Sequence, residues 1–280
     1  MSIKSKLSSS AVKSAGFFAF ALLLLVLFFR GTDMGELTRT LAGASPQLLL
    51  AALASIMVTY LIRAFRWQVL LLPLGRASLV NCFTATVIGF MVNFLVPPGR
   101  LGEIARPYLL ARREGFSASS AFATIILERF LDLIAVIFLI GFWLFFGTVR
   151  AGSDEALAML QVGGLIGLGT ALVALVVMFS FSRFPEPALA WSRKILGILP
   201  RRLELAALRF LETFTAGLGV LIDASGIAKA VGLSVFLWVN VSLSFWFGAR
   251  ALGVEFGFGD TFFVIGFLTV GVAVPTPGAI

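Results

Sequence analysis

Long apolar runs, separated by short clusters of arginine, glycine and proline, set the pattern of this chain. A membrane helix needs about 20 mostly apolar residues, fewer when its ends carry snorkelling side chains. Ala15–Phe29, Gln47–Trp67, Leu133–Val149, Val162–Phe181 and Val231–Ala249 meet that description. Two further runs, Leu79–Pro98 and Thr261–Pro275, end in proline and glycine, the residues that stop a helix. Gly163, Gly164, Gly167 and Gly169 crowd one of the spans, a spacing that suits close helix packing.

Composition turns these runs into a membrane protein. The chain has 280 residues, 59% hydrophobic and 13% charged, where soluble domains carry about 25% charged residues. Its mean hydropathy is +1.03. Lys4, Lys6 and Lys13 precede the first run, as in a signal peptide. Arg30, Asp33, Glu36 and Arg39 then make the stretch before Ala42-Gly43-Ala44 too long and too charged for a cleavage region, so a retained anchor is expected. The net charge of +8 fits basic loops against anionic headgroups, not nucleic acid. Histidine is absent and Cys82 is the single cysteine. That excludes histidine acid/base chemistry, a Cys/His metal cluster and an internal disulfide. No cofactor is expected, and no ATP motif is visible.

Positive-inside counting decides how the odd runs sit. With the N-terminal lysines cytoplasmic, the second span returns to place Arg63, Arg66 and Arg76 inside. A full crossing by Leu79–Pro98 would strand Arg100, Arg106, Arg112 and Arg113 outside. A run that enters and turns back keeps them inside, along with the basic residues from Arg183 to Lys229. Of the 22 lysines and arginines, only Arg30, Arg39, Arg150 and Arg250 then face out, with Arg129 in or beside a span. A re-entrant hairpin is therefore expected. Thr261–Pro275 enters from the opposite face by the same logic. Val87-Ile88-Gly89-Phe90 returns there as Val264-Ile265-Gly266-Phe267, and Pro98-Gly99 as Pro275-Thr276-Pro277-Gly278. Paired broken segments of this kind point to an inverted repeat with a site near the midplane. The expected fold is all-α: one polytopic domain over 1–280 with two re-entrant broken-helix hairpins. Within it, 185–222 alternates Trp191, Ile195, Ile198 and Leu199 with Arg193, Lys194, Arg201 and Arg202. This reads as one or two amphipathic helices broken at Pro200 on the cytoplasmic surface, or as an ordinary polar connector.

The charges within the greasy sequence are the candidate chemistry. In helix, Arg100, Glu103 and Arg106 follow at i, i+3, i+6, so the acid stands beside both arginines and can hold them for a phosphate. Pro107 either fits early in that helix or kinks it. A solvated loop obeying the positive-inside rule is the alternative. Glu128 and Asp132 share a face at i, i+4 and repel unless a cation lies between them; Arg129, Arg100 and Arg106 are the candidates. Phe116–Val149 makes about 50 Å of helix, too long for one crossing. These charges therefore lie at the membrane surface or inside the protein, because each costs about 2.5–3.5 kcal/mol at the bilayer centre. Arg63, Arg66 and Trp67 resemble a headgroup-level belt, with a direct substrate role, Arg66 foremost, as the alternative. Asn93 suits a hydrogen bond to the broken backbone of the hairpin.

RAFRWQVL (Arg63–Leu70), NFLVPPGRLGEIAR (Asn93–Arg106), ERFLD (Glu128–Asp132) and the late PTPG together resemble the lysylphosphatidylglycerol synthetase transmembrane-region family. The resemblance runs from about Gln47 to the end. It implies a multi-pass protein of the inner cell membrane, N-terminus cytoplasmic, that moves a phospholipid or polyprenyl-linked lipid between leaflets. Family patterns continue beyond the second P-x-P-G, so the stop at Gly278-Ala279-Ile280 suggests a C-terminally incomplete chain. A non-enzymatic role follows, with Arg100 and Arg106 on a phosphate and Glu103, Glu128 and Asp132 balancing charge or carrying protons. The expected partners are lipids with anionic or phosphate-bearing headgroups. A membrane subunit or partner of an aminoacyl-phospholipid synthase or another envelope enzyme, an ion-coupled small-solute carrier, and a homo-oligomer all stay open.

Overall fold

The structure, a computed structural model, describes residues 22, 23, 26, 29, 30, 33–95, 101–146 and 154–273; among them are helices and turns but no strand. Helix α1 is Met34–Ala42, α2 Pro46–Leu71, α3 Leu79–Leu95, α4 Leu101–Glu114 and α5 Ala118–Phe146. They are followed by α6 Asp154–Arg183, α7 Pro185–Leu196, α8 Arg201–Gly217, a 3-10 turn at Gly219–Leu221, α9 Ala224–Ala251 and α10 Asp260–Ala273. The expected first span, Ala15–Phe29, falls largely outside the described residues.

Helices α2 and α9 form the antiparallel spine, and both are long and apolar enough to cross a membrane. Pro46 opens α2, where its missing N–H costs nothing, and Asp223 caps α9 by accepting from Ser225 N (3.1 Å) and Gly226 N (2.9 Å). The seam between them is polar at several levels. Ser45 N donates to the Ala251 carbonyl (2.9 Å), and Asn240 Nδ2 donates to Ser55 O and Thr59 Oγ1 (both 2.8 Å). In lipid, such bonds hold helices together at about 1 kcal/mol each.

The broken run after α2 folds back on itself. Ser78 N and Asn81 Nδ2 donate to Glu114 Oε1 at 2.9 and 2.7 Å, so the start of α3 meets the end of α4. Near the tip, Gly102 N donates to Asn93 Oδ1 (2.7 Å), as expected of Asn93. Gly89 and Gly102 let the two backbones touch: a Cβ on Gly102 would stand 1.8 Å from Gly89 O. Pro107 lies inside α4, which continues to Glu114. The tip itself, 96–100, lies outside the described residues, and Arg100 with it.

Helix α10 begins at the opposite end of the bundle from α3. Trp143, late in α5, packs on Gly259, and Ile140 packs on Gly266. The glycines of the two VIGF segments therefore both sit at close helix contacts. The second Pro/Gly break lies in 274–280, outside the described residues. Gly169 departs from the packing expectation, since nothing stands within 4 Å of its Cβ position.

Between α6 and α7 the axis turns by 111°. Helix α8 then packs on the start of α5, where Ser120 Oγ donates to the Thr213 carbonyl. Within 185–222 the structure has two helices, α7 and α8, parted at Pro200.

The hairpin makes a direct topological prediction. Gly75 and Gly115 flank the hairpin but have φ of 138° and 74°, which disfavours cysteine there, so the neighbouring exposed Arg76 and Ser117 are the positions for probes. In a Cys82→Ser background, Arg76→Cys and Ser117→Cys react with an impermeant maleimide from the same side of sealed vesicles. Labelling from opposite sides is incompatible with the hairpin.

Candidate functional site

Four helices converge where the hairpin lies against the bundle. Helix α2 brings Arg63, Arg66 and Trp67, α4 brings Glu103 and Arg106, α5 brings Glu128, Arg129 and Asp132, and α9 adds Ser234 and Trp238. Glu128 is the centre. Its Oε1 lies 2.7 Å from Arg129 Nη2, 3.0 Å from both Arg66 Nη2 and Arg106 Nη1, and 3.9 Å from Arg63 Nη1. Asp132 accepts from Arg66 Nη1 and from Trp238 Nε1 (3.0 Å), and its Oδ2 lies 3.2 Å from Arg129 Nη2. The cations required between the i, i+4 acids are therefore Arg66 and Arg129. Arg66 also donates to Ser234 Oγ (2.9 Å).

Aromatic rings support the arginines. The Arg106 guanidinium lies 3.9 Å from the Trp67 ring centre, and Trp67 Nε1 donates to Thr124 Oγ1 (2.9 Å). Arg63 faces the Phe90 ring at 5.2 Å. These contacts correct one expectation. Arg66 and Trp67 are not headgroup markers but are fully buried, because the hairpin and α5 cover the end of α2. Glu128 and Asp132 are likewise interior, which decides between the two placements the length of α5 left open. Glu103 lies 3.9 Å from Arg129, while the acid that receives the hydrogen bond of Arg106 is Glu128.

Seven of the eight residues singled out in the sequence are described, and all seven gather here. Arg63, Trp67, Ser234 and Trp238 join them without having been chosen. Arg63 carried a usable signal, since it precedes Arg66 by three and Trp67 by four and so shares their face. Ser234 and Trp238 carried none, as only tertiary packing brings α9 to this point.

The balance of charge among the described residues is uneven: four arginines meet three carboxylates. All four arginines turn to one oxygen of Glu128, and its Oε2 is buried without a hydrogen-bond partner. So are Arg106 Nε and Nη2, which form one planar edge of that guanidinium. Arg106 and the partly exposed Arg129 line a cleft of about 40 Å³ between the hairpin and α5, together with Asn93, Gly102 and Glu103. Among the described residues, no group of three or more histidine, cysteine or acidic side chains is placed for a metal.

Helices long enough to cross, a folded-back hairpin and a buried charge cluster define a multi-pass membrane protein with a polar centre. Residues 14–280 match the family described as the lysylphosphatidylglycerol synthase TM region, and the chain belongs to that family. It is 29% identical over 143 residues to Glycosyltransferase AglD of Haloferax volcanii, covering 51% of this chain and 22% of that protein. It is also 29% identical over 136 residues to a UPF0104 membrane protein of Methanocaldococcus jannaschii, covering 46% of this chain and 40% of the relative. A UPF0104 membrane protein of Methanothermobacter thermautotrophicus is 30% identical over 145 residues, 48% of this chain and 40% of the relative. The chain thus spans less than half the length of these curated relatives. No solved structure matches it.

Proposed function

We propose that this protein carries a lipid with a phosphate-bearing headgroup between leaflets of the cell membrane, with its N-terminus cytoplasmic and without catalysing a reaction. The observation that carries this reading is the Nε–Nη2 edge of Arg106, buried without a hydrogen-bond partner in a cluster whose described side chains carry one positive charge in excess. Such an edge matches two oxygens of a phosphate. A phosphate there neutralises the excess charge, while the acyl chains stay in the bilayer. The cleft of about 40 Å³ is far smaller than the roughly 300–1,000 Å³ of a typical small-molecule pocket, so headgroup entry requires the hairpin to part from α5. Glu103, beside Arg129, balances charge at the mouth. Membership of a transmembrane-region family supports a non-enzymatic role for this segment, and the positive-inside bias supports the orientation.

A second reading, a membrane partner of an enzyme that builds a lipid-linked substrate, is favoured by the name of one relative, Glycosyltransferase AglD. Leaflet-resolved movement of labelled phospholipid and polyprenyl-phosphate lipids in proteoliposomes separates the two. The proposal expects movement by this chain alone, and its absence for both lipids returns the chain to the partner reading.

Arg106→Lys is the decisive variant. Lysine keeps the charge and a bond to Glu128 but loses the planar edge and the stacking on Trp67. We expect transport per correctly inserted protein to fall at least tenfold, the equivalent of about 1.4 kcal/mol. Arg112→Lys and Arg113→Lys, on exposed positions of α4, keep wild-type rates. Wild-type movement by Arg106→Lys would leave Arg106 a structural partner of Glu128 and Trp67 and remove it from the transport site.

A further inference from the structure

The transport reading leaves α7 and α8 unused, although they hold the densest exposed basic surface described. Helix α7 leaves the bundle direction through the 111° turn. Its three sectors differ in character. Ser192 is buried and faces the protein; Phe184, Trp191 and Ile195 follow at i, i+7, i+11 and are exposed; Arg193 and Lys194 share the remaining sector with Glu186. Helix α8 repeats the arrangement. Leu208 and Thr215 are buried, Leu203 and Phe210 are exposed at i, i+7, and Arg201, Arg202 and Arg209 stand exposed beside them and outnumber the helix's two acids, Glu204 and Glu212. In the turn between the helices, Ile198 is 86% exposed. None of these five basic side chains forms an ion pair with a carboxylate among the described residues.

We propose that α7 and α8 dock on an anionic bilayer surface. Exposed aromatic and aliphatic residues enter the headgroup boundary, and the unpaired lysine and arginines meet the lipid charge. Charge complementarity selects this occupant, because an apolar face ringed by unpaired basic residues suits an anionic interface. The placement fits as well. Helix α8 is fixed to the first turn of α5, at the end of the bundle where α2 finishes and the hairpin opens. A Cβ on Gly217 would stand 2.1 Å from Ser120 O, so the attachment is backbone against backbone. The same helix, α5, carries Glu128, Arg129 and Asp132 about two turns further on, which ties the docked element to the charge cluster.

The test uses the full chain in nanodiscs. Ile198→Cys, in a Cys82→Ser background, carries a bimane fluorophore, and neutral acrylamide reports its access to water. We expect strong quenching in phosphatidylcholine discs and protection when phosphatidylglycerol is included. Each basic residue near an anionic surface shifts the docked-to-undocked ratio about fivefold. Replacing Arg193, Lys194, Arg201 and Arg202 with glutamine therefore returns quenching in anionic discs to the neutral level. Arg193→Lys, Arg201→Lys and Arg202→Lys together keep the protection, because the surface reads charge and not a planar fork, and their elution as a single species controls for folding. Equal quenching in the two lipid compositions overturns the proposal. So does loss of protection in the lysine variant, which assigns the face to a protein partner that recognises arginine.

Discussion

Glu128→Gln is expected to destabilise the folded protein by about 3–5 kcal/mol, the cost of removing one partner from a buried ion pair. That is a large share of a typical stability of about 5–15 kcal/mol. The glutamine is nearly isosteric, so no cavity is made and the whole effect is electrostatic. Among the described residues, Arg63, Arg66, Arg106 and Arg129 would then share only Glu103 and Asp132 as counter-charges. The expected result is a lower melting temperature and a smaller monodisperse fraction in detergent. Glu128→Asp keeps the charge and falls between the two. Adding Arg129→Gln to Glu128→Gln restores part of the loss, since the pair is in contact at 2.7 Å and its effects are not additive. A wild-type melting temperature for Glu128→Gln would mean that the arginines are held by something other than this carboxylate. The prediction also bears on function. Buried ionic clusters often contribute less stability than apolar residues of similar volume. The cluster therefore fits the proposed phosphate site better than a purely packing role.

The parts of this arrangement that were legible in the sequence are those that depend on local spacing and on sidedness. The return of α3 through α4 followed from where Arg106, Arg112 and Arg113 had to lie, and the Ser78–Glu114 contact agrees with it. The length of helix around Glu128 and Asp132, together with the cost of charge in lipid, confined them to the membrane surface or the protein interior, and only the packing of α2, α4 and α9 against α5 decides for the interior. Arg66 and Trp67 were misread because a basic residue and an aromatic at the end of a span look the same under lipid headgroups and under another helix. The covering element is the hairpin itself, which lies some thirty residues further along the chain. Trp238 was invisible for the same reason at larger scale. Its indole reaches Asp132 only because α9 lies alongside both α2 and α5, and nothing near it in the sequence marks it as polar machinery.

The hairpin itself is most exposed to change at Gly102. Gly102→Ala places a methyl group 1.8 Å from Gly89 O, 2.7 Å from Gly89 C and 2.6 Å from Asn93 Oδ1. Two of those atoms are backbone and cannot swing away, so α3 and α4 must separate by an ångström or more. Separation lengthens the bond from Gly102 N to Asn93 Oδ1 and leaves both groups unpaired in a half-buried site. Overpacking of this kind costs about 1–3 kcal/mol, and a lost buried hydrogen bond adds about 1 kcal/mol or more. Helix α4 also carries Arg106, whose Cβ lies 3.0 Å from where a Cβ on Gly89 would stand. Moving α4 away from α3 therefore shifts Arg106 against Glu128 and Trp67. We expect Gly102→Ala to lose thermal stability and, in the protein that remains inserted, to lose lipid movement as well. Asn93→Ala separates the two contributions, because it removes the acceptor and leaves the glycine contact intact. It should cost about 1 kcal/mol and retain most movement. Native melting and native movement in Gly102→Ala would show that the hairpin is not closed at this contact in the membrane.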